Sequence, residues 1–297
     1  MKKIWILGLA ASLLTSMVAC TGSSEAPSGS DKPSGGTSGA AEKSSLTVKG
    51  SDTMVQLAQV WAEEFKKVHP EIDVQVTGGG STTGIAALLN KSTDIASASR
   101  ALKAEEANKA KEAGIEPKEH TVAQDALSIV VNPTNPIKEL TLAQLKDIYT
   151  GKVKNWKDLG GADMAIVANG RESSSGTYGF FLEHVLNKEP FATEVLTSPA
   201  TNQIVENVAQ DKGGVGYVGL GYVNDKVRAV PIKKDAASPA VHGDAKTVLD
   251  GSYSLARPLF VYTAGEATGA AKTFIDWILG ADGQAVVEKL GFVPVKK

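Results

Sequence analysis

The chain has 297 residues, 42% hydrophobic and 22% charged, which suits one large or two ordinary domains with a sizeable core and excludes general disorder. Its 31 Lys and Arg against 33 Asp and Glu give a formal net charge of -2, so no basic field exists to hold a nucleic acid. One cysteine, Cys20, excludes internal disulfides, zinc knuckles, thiol pairs and a cysteine nucleophile in the folded part.

Lys2 and Lys3 followed by the apolar run from Ile4 to Val18 read as an export signal over residues 1–19, the run being too short to span a membrane. It ends in Met17-Val18-Ala19-Cys20, which resembles a bacterial lipobox with Met17 where leucine is usual. That resemblance implies a lipidated Cys20 and an extracytoplasmic, membrane-anchored protein; the alternative is a secreted protein with an incidental cysteine. Residues 20–45 follow as a tether: Thr21 to Ser45 hold eight Ser, five Gly and two Pro, with no aromatic residue, Leu, Ile or Val. A random coil of that length spans roughly 25–30 Å.

From Leu46 onward short apolar runs alternate with amphipathic stretches. Leu46–Val48, Ile72–Val76, Leu127–Val131, Ala165–Ala168 and Leu259–Tyr262 predict strands. Met54, Leu57, Ala58, Trp61, Phe65 and Val68 recur at helical spacing, as do Tyr178, Phe181, Leu182, Val185 and Leu186. Shorter helices are expected at Ile85–Leu89, Leu142–Tyr149, Ile204–Val208, Ala271–Leu279 and Gln284–Leu290. The alternation argues an α/β architecture with largely parallel sheets. About 250 residues is where one core stops growing. Crossings at Val122–Ala126 and Ser252–Pro258 would divide the body into one lobe from residues 46–126 plus 254–297 and a second from 127–253, with a cleft and a double-stranded hinge between.

Three polar turns each open a predicted helix: Gly50-Ser51-Asp52-Thr53, Gly78-Gly79-Gly80-Ser81-Thr82-Thr83-Gly84, and Arg171-Glu172-Ser173-Ser174-Ser175-Gly176-Thr177. The first N–H groups of a helix lack internal partners and its dipole is positive there, so hydroxyls and glycine at that end suit an anion. Plain N-capping by Ser and Thr is the better explanation of any one of them, and it is the three together, one carrying Arg171, that move the weight toward a shared anion site. A fourth segment, Thr93 to Arg100, sets Ser99 beside Arg100, a fork-shaped donor for an oxyanion or the surface partner of Glu105 or Glu106.

These segments, with Gly213–Val218, follow the order and spacing of the substrate-binding protein family of the bacterial phosphate ABC transporter, which the body resembles from Leu46 to the end. The resemblance implies a two-lobed periplasmic-binding-protein fold of the second type that closes on one phosphate, hands it to permease subunits in the membrane, and performs no catalysis. It implies no cofactor and no metal, and the chain is taken as a monomer. Carried over residue by residue, the phosphate ligands are Ser51, Thr53, the backbone of Met54, Ser81, Ser99, Arg100, Arg171, Ser175, Gly176 and Thr177. An acid of the third turn is replaced here by Ser173, leaving Glu172 to orient Arg171. Where well-known members place a carboxylate that accepts the proton of hydrogen phosphate, this chain has Arg100. Asp52 is then the nearest acceptor, its other reading being a helix N-cap. Receptors for sulfate, molybdate or a phosphate ester stay open as alternatives.

Enzyme readings are weaker. Gly214-Val215-Gly216-Tyr217-Val218-Gly219 has the dinucleotide spacing, but a predicted helix precedes it and its apolar alternation is that of a strand. Ile85 stands where a P-loop needs lysine, and Thr83 where a nucleophile elbow needs glycine. A hydrolase using Ser81 or Ser175 would need partners remote in sequence, because His69, His120, His184 and His242 are scattered.

Overall fold

The structure is a computed structural model that describes residues 44–295. The export signal, Cys20 and all of the tether except Ser44 and Ser45 lie outside the described residues. In chain order the elements are β1 (Ser44–Gly50), α1 (Val55–Val68), β2 (Ile72–Thr77), α2 (Ser81–Leu89), β3 (Ile95–Ala98), α3 (Ala104–Glu112) and β4 (Lys118–Val131). Next come β5 (Leu140–Thr141), α4 (Leu142–Tyr149), β6 (Val167–Arg171), α5 (Gly176–His184), β7 (Leu196–Ser198), α6 (Thr201–Gln210) and β8 (Gly214–Gly219). The chain closes with β9 (Arg228–Val230), β10 (Ile232–Lys233), α7 (Ala245–Leu249), β11 (Ala256–Thr263), α8 (Gly269–Leu279) and α9 (Ala281–Lys289). Strand β1 thus starts at Ser44, inside the segment read as tether, because backbone pairing with Ile72 and Asp73 requires no apolar side chain.

The strands run β2-β1-β3-β11-β4-β8-β6-β7, with β9 on the other side of β4. Pairing is parallel within β2-β1-β3 and within β8-β6-β7, as the alternation of strands and helices predicts. The centre corrects the expectation of largely parallel sheets: β11 runs antiparallel to β3 and β4, and β4 antiparallel to β8 and β9. The reason lies in β4, whose first part, up to Ala126, pairs with β11 and whose remainder, from Leu127, pairs with β8. A strand that serves two layers must meet them in the direction in which it crosses, and the result is a two-lobed α/β fold with a curled mixed sheet.

Two main apolar clusters flank that crossing. One gathers Leu57, Trp61 and Phe65 of α1 with Val48, Ile95, Phe274, Ile278 and Phe292. The buried positions of α1, Leu57, Ala58, Trp61 and Phe65, belong to the helical stripe read from sequence, as does the buried Met54 at its cap, whereas Val68 at the stripe's end is exposed. Lys66 and Lys67 in the last turn complement the helix dipole. The other gathers Leu127, Ile129, Tyr149, Trp156, Phe181 and Tyr217, with Phe181 and Tyr217 stacked at 4.2 Å. The dinucleotide-like glycines lie on β8, as their alternation predicts. A Cβ on Gly216 would meet Ile204 of α6 at 2.5 Å, so that glycine lets helix and strand pack closely.

Candidate functional site

The polar turns converge on the sheet crossing. Strand β1 delivers Gly50 to Thr53, with the Ser51 N–H donating to Ser97 O (2.9 Å) and to Ser97 Oγ (3.0 Å). Gly80 ends the second turn at φ 92°, a left-handed conformation that favours glycine, and a Cβ there would meet Ser174 O at 2.4 Å. The Thr82 N–H donates to that same Ser174 O (3.0 Å), which joins the second turn to the third.

Thr53, Ser81, Ser99, Ser175 and Thr177 are all buried. Thr53 Oγ1 lies 2.8 Å from Thr177 Oγ1, and Ser99 Oγ lies 3.4 Å from the same atom. The Ser99 N–H donates to Ser81 Oγ (3.1 Å). Gly176 fits between these hydroxyls, since a Cβ on it would stand 2.2 Å from Ser81 Oγ and 2.7 Å from Ser99 Oγ. Two of the three helices opening here lack a capping side chain: the cap positions are Met54 for α1 and Gly80 for α2. In α5 the capping reading holds, because Ser175 Oγ accepts from the N–H groups of Thr177 and Tyr178. Helix N-termini and hydroxyl groups thus meet in one buried cluster, a set of donors that suits a compact oxyanion.

Arg171 is buried at the end of β6 and donates to Ser198 O (3.2 Å), Thr201 Oγ1 (2.8 Å), Pro199 O (2.6 Å) and Asp52 Oδ2 (2.8 Å). Burial lowers its pKa from the ordinary value, opposed by the neighbouring Asp52 and the phenol of Tyr217. Its acidic partner is therefore Asp52, not Glu172, which is exposed. Asp52 Oδ1 accepts the Gly79 N–H (3.0 Å), and Asp52 caps no helix. Tyr222 ties this junction together by donating to Asp52 O (2.8 Å).

The remaining expected ligands have other attachments. Arg100 is buried with both terminal nitrogens on Glu106 (2.8 and 2.6 Å), and also donates to Thr82 Oγ1 (3.0 Å) and Ala101 O (2.9 Å). The pairing with Glu106 is one that the sequence offered, but it is buried rather than on the surface. The Met54 side chain belongs to the core and its N–H donates to Ser51 O (2.9 Å). Sequence reasoning missed Asp125 and Arg257. Arg257 Nε and Nη2 donate to Asp125 Oδ2 (3.0 and 2.8 Å), and its Nη1 reaches Thr177 Oγ1 (3.1 Å). The available signal was a lone acid in the apolar segment Val122 to Leu127. Cavities flank the hydroxyl cluster: one of about 500 Å3 beside Asp52, Val55, Thr201 and Tyr222, and one of about 740 Å3 beside Arg100, Phe180 and Arg257.

A chain with this fold, whose site is assembled from helix-opening turns on both sides of a strand crossing, has the architecture of a solute-binding protein. A PBP superfamily domain model matches residues 35–282. Among curated proteins the chain is 36% identical to the phosphate-binding protein PstS of Bacillus subtilis, over 92% of this chain and 85% of that protein. It is 34% identical to the phosphate-binding protein PstS of Pseudomonas aeruginosa, over 84% of this chain and 83% of that protein. The chain belongs to the PstS family of phosphate-binding proteins. Among solved structures, a phosphate-bound ABC transporter substrate-binding protein of Clostridium perfringens matches with a TM-score of 0.78 and 36% identity. That match covers 85% of this chain and all of that one. An ABC-type phosphate transport receptor of Vibrio cholerae matches with a TM-score of 0.68 and 30% identity, over 84% of this chain and all of that one. These relatives are transport proteins rather than enzymes.

Proposed function

We propose that this chain captures inorganic phosphate between its two lobes, unchanged chemically, and delivers it to the permease subunits of an ABC transporter. The observation that carries the reading is the meeting of Thr53, Ser81 and Ser99 from one side of the crossing with Ser175, Gly176 and Thr177 from the other. The lobes are residues 46–126 with 254–297 and residues 127–253, a division supported by the change of partner along β4. Hydroxyls and helix-terminal N–H groups act as donors to the anion, and Arg171 holds the cleft shut through Asp52. Arg100, engaged by Glu106, steadies the Ser99 turn instead of reaching the ligand. Ser51 and Met54 shape the first turn, and Asp52 accepts the proton of hydrogen phosphate. Cys20 carries the lipid, so that a monomer works at the outer face of a membrane on its tether.

The test is calorimetric titration with phosphate, sulfate and molybdate, after unfolding and refolding to remove any co-purified anion. Phosphate is expected to bind at least about tenfold tighter than the others, a difference of about 1.4 kcal/mol. Stronger binding of sulfate or molybdate would overturn the assignment. For the anchor, Cys20→Ala should move the protein from the membrane fraction to the soluble envelope or medium with phosphate affinity intact. Retention of that variant in salt-washed membranes would refute lipidation at Cys20.

A further inference from the structure

Asp125 and Arg257 sit where β4 and β11 pair beside the crossing, with side chains essentially inaccessible to solvent, at 0% and 1%. A buried ion pair gains little over well-packed apolar side chains, so its presence at this point needs another reason than stability. Each atom of the pair has a definite partner. Asp125 Oδ2 takes both Nε and Nη2 of Arg257, and Asp125 Oδ1 accepts the Leu220 N–H (2.8 Å). Arg257 Nη1 donates to Ser99 O (3.2 Å) and to Thr177 Oγ1 (3.1 Å), and the Phe180 ring lies 5.3 Å from its Cζ.

The contact with Thr177 fixes a proton. A guanidinium only donates, so one lone pair of Thr177 Oγ1 is always filled by Arg257. Thr53 Oγ1 and Ser99 Oγ crowd the same oxygen. When either donates to Thr177 as well, its accepting capacity is full and its own proton is free only to point at another acceptor. We propose that Arg257, oriented by Asp125, is a positioning residue that sets the Thr177 hydroxyl as an obligatory donor to the bound oxyanion. Because Nη1 also holds Ser99 O, the bond to Thr177 forms only when the α5 turn has closed against the β3 end. Ligand recognition and lobe closure then share one hydrogen bond. This rests on the oxyanion reading above and names the group that enforces it.

The test is calorimetric titration of the full chain with inorganic phosphate for the unaltered protein, Arg257→Lys, Thr177→Val and the two combined, with thermal melts of each. Lysine keeps a cation beside Asp125 but cannot span Asp125, Ser99 and Thr177 together. Each single variant should weaken phosphate binding about 10- to 100-fold, the range for a hydrogen bond to a charged group. The combined variant should lose no more than the weaker of the two singles, because both act through one hydroxyl. Asp125→Asn with Arg257→Gln, which removes both charges while keeping polar groups, should show the same coupling to Thr177→Val. Additive losses, or wild-type affinity in folded Arg257→Lys, would overturn the proposal and leave the pair a structural element. So would failure of both Arg257 variants to fold. Absence of phosphate binding by the unaltered protein would instead refute the oxyanion reading from which the proposal starts.

Discussion

Asp52 holds the Arg171 guanidinium with one oxygen and the Gly79 N–H with the other. A carboxylate has about four lone-pair positions, so acceptor capacity remains on both oxygens. A doubly charged hydrogen phosphate has a proton to give and sulfate has none, so a carboxylate here favours the first and repels the second. Asp52→Asn keeps the shape but can donate as well as accept. Near pH 8 it should weaken phosphate, strengthen sulfate and narrow the ratio between them, as read by paired titrations. Equal losses for both anions would mean that Asp52 serves only to hold Arg171. The sequence suggested Asp52 as an acceptor but not its bond to Arg171, because the two residues are 119 positions apart and Glu172 lay nearer in the chain. For Arg100 the sequence offered both a ligand role and a pairing with Glu105 or Glu106; Glu106, six residues on in the first turn of α3, takes both terminal nitrogens and leaves the buried Nε without a protein partner.

The facing N-termini of α2 and α5 make closure sensitive to a single carbon. Gly176 has no left-handed conformation to preserve, and alanine favours a helix over glycine by up to about 1 kcal/mol, so Gly176→Ala should fold normally. Its methyl group would press on Ser81 and Ser99 only when the cleft is shut. The expected result is a melting temperature within a few degrees of the parent and phosphate binding weakened by about tenfold or more. Small-angle scattering should show no contraction on adding phosphate. Normal contraction and affinity would show that the closed cleft leaves room for a methyl group between Gly176 and Ser81. Elements with an apolar stripe, such as α1 and α6, were legible before the structure; α3 was not, since Glu106 and Ala110 are its buried residues. Only the end of β4 from Leu127 was read as strand. Its first half opens on four polar residues, Lys118 to Thr121, and keeps no alternation of polar and apolar side chains, and its pairing is fixed by β11, which lies far along the chain. Thr53, Ser81, Ser175 and Thr177 were singled out because each sits at or just before a helix start, and Ser99 because it ends a strand beside Arg100, all local signals. Asp125 carries only the weak signal of a lone acid in an apolar segment, and its pairing with Arg257, 132 residues away, carries none.

Across the whole molecule, phenols record how dry the interior is. Burial raises the pKa of Tyr149, Tyr217 and Tyr253 above the ordinary value and pushes Tyr222 up to about 12, with Arg171 opposing the last. Tyr262 is raised by burial and by its bond to Glu119. A phenol near pH 10 when unfolded ionises there before the folded one does. Stability from these groups is therefore complete below about pH 10 and is lost as pH rises toward 12. Phenolate absorbance followed together with near-ultraviolet circular dichroism should show most ionisation coinciding with unfolding in that window. Titration of all six tyrosines near pH 10 in an intact fold would contradict this. The chain path has a further consequence, for synthesis. The Trp61 indole N–H donates to Gly283 O, 222 positions later, and Phe65 packs edge-on against Phe274 at 5.0 Å. The cluster around α1 cannot be completed until α8 and α9 have emerged, whereas the cluster around Tyr217 draws mainly on residues 126–255. Such distant contacts form late and slowly. A chain made in order from its N-terminus therefore holds the α1 side of its core open until α8 and α9 are available, while the Tyr217 side can gather first.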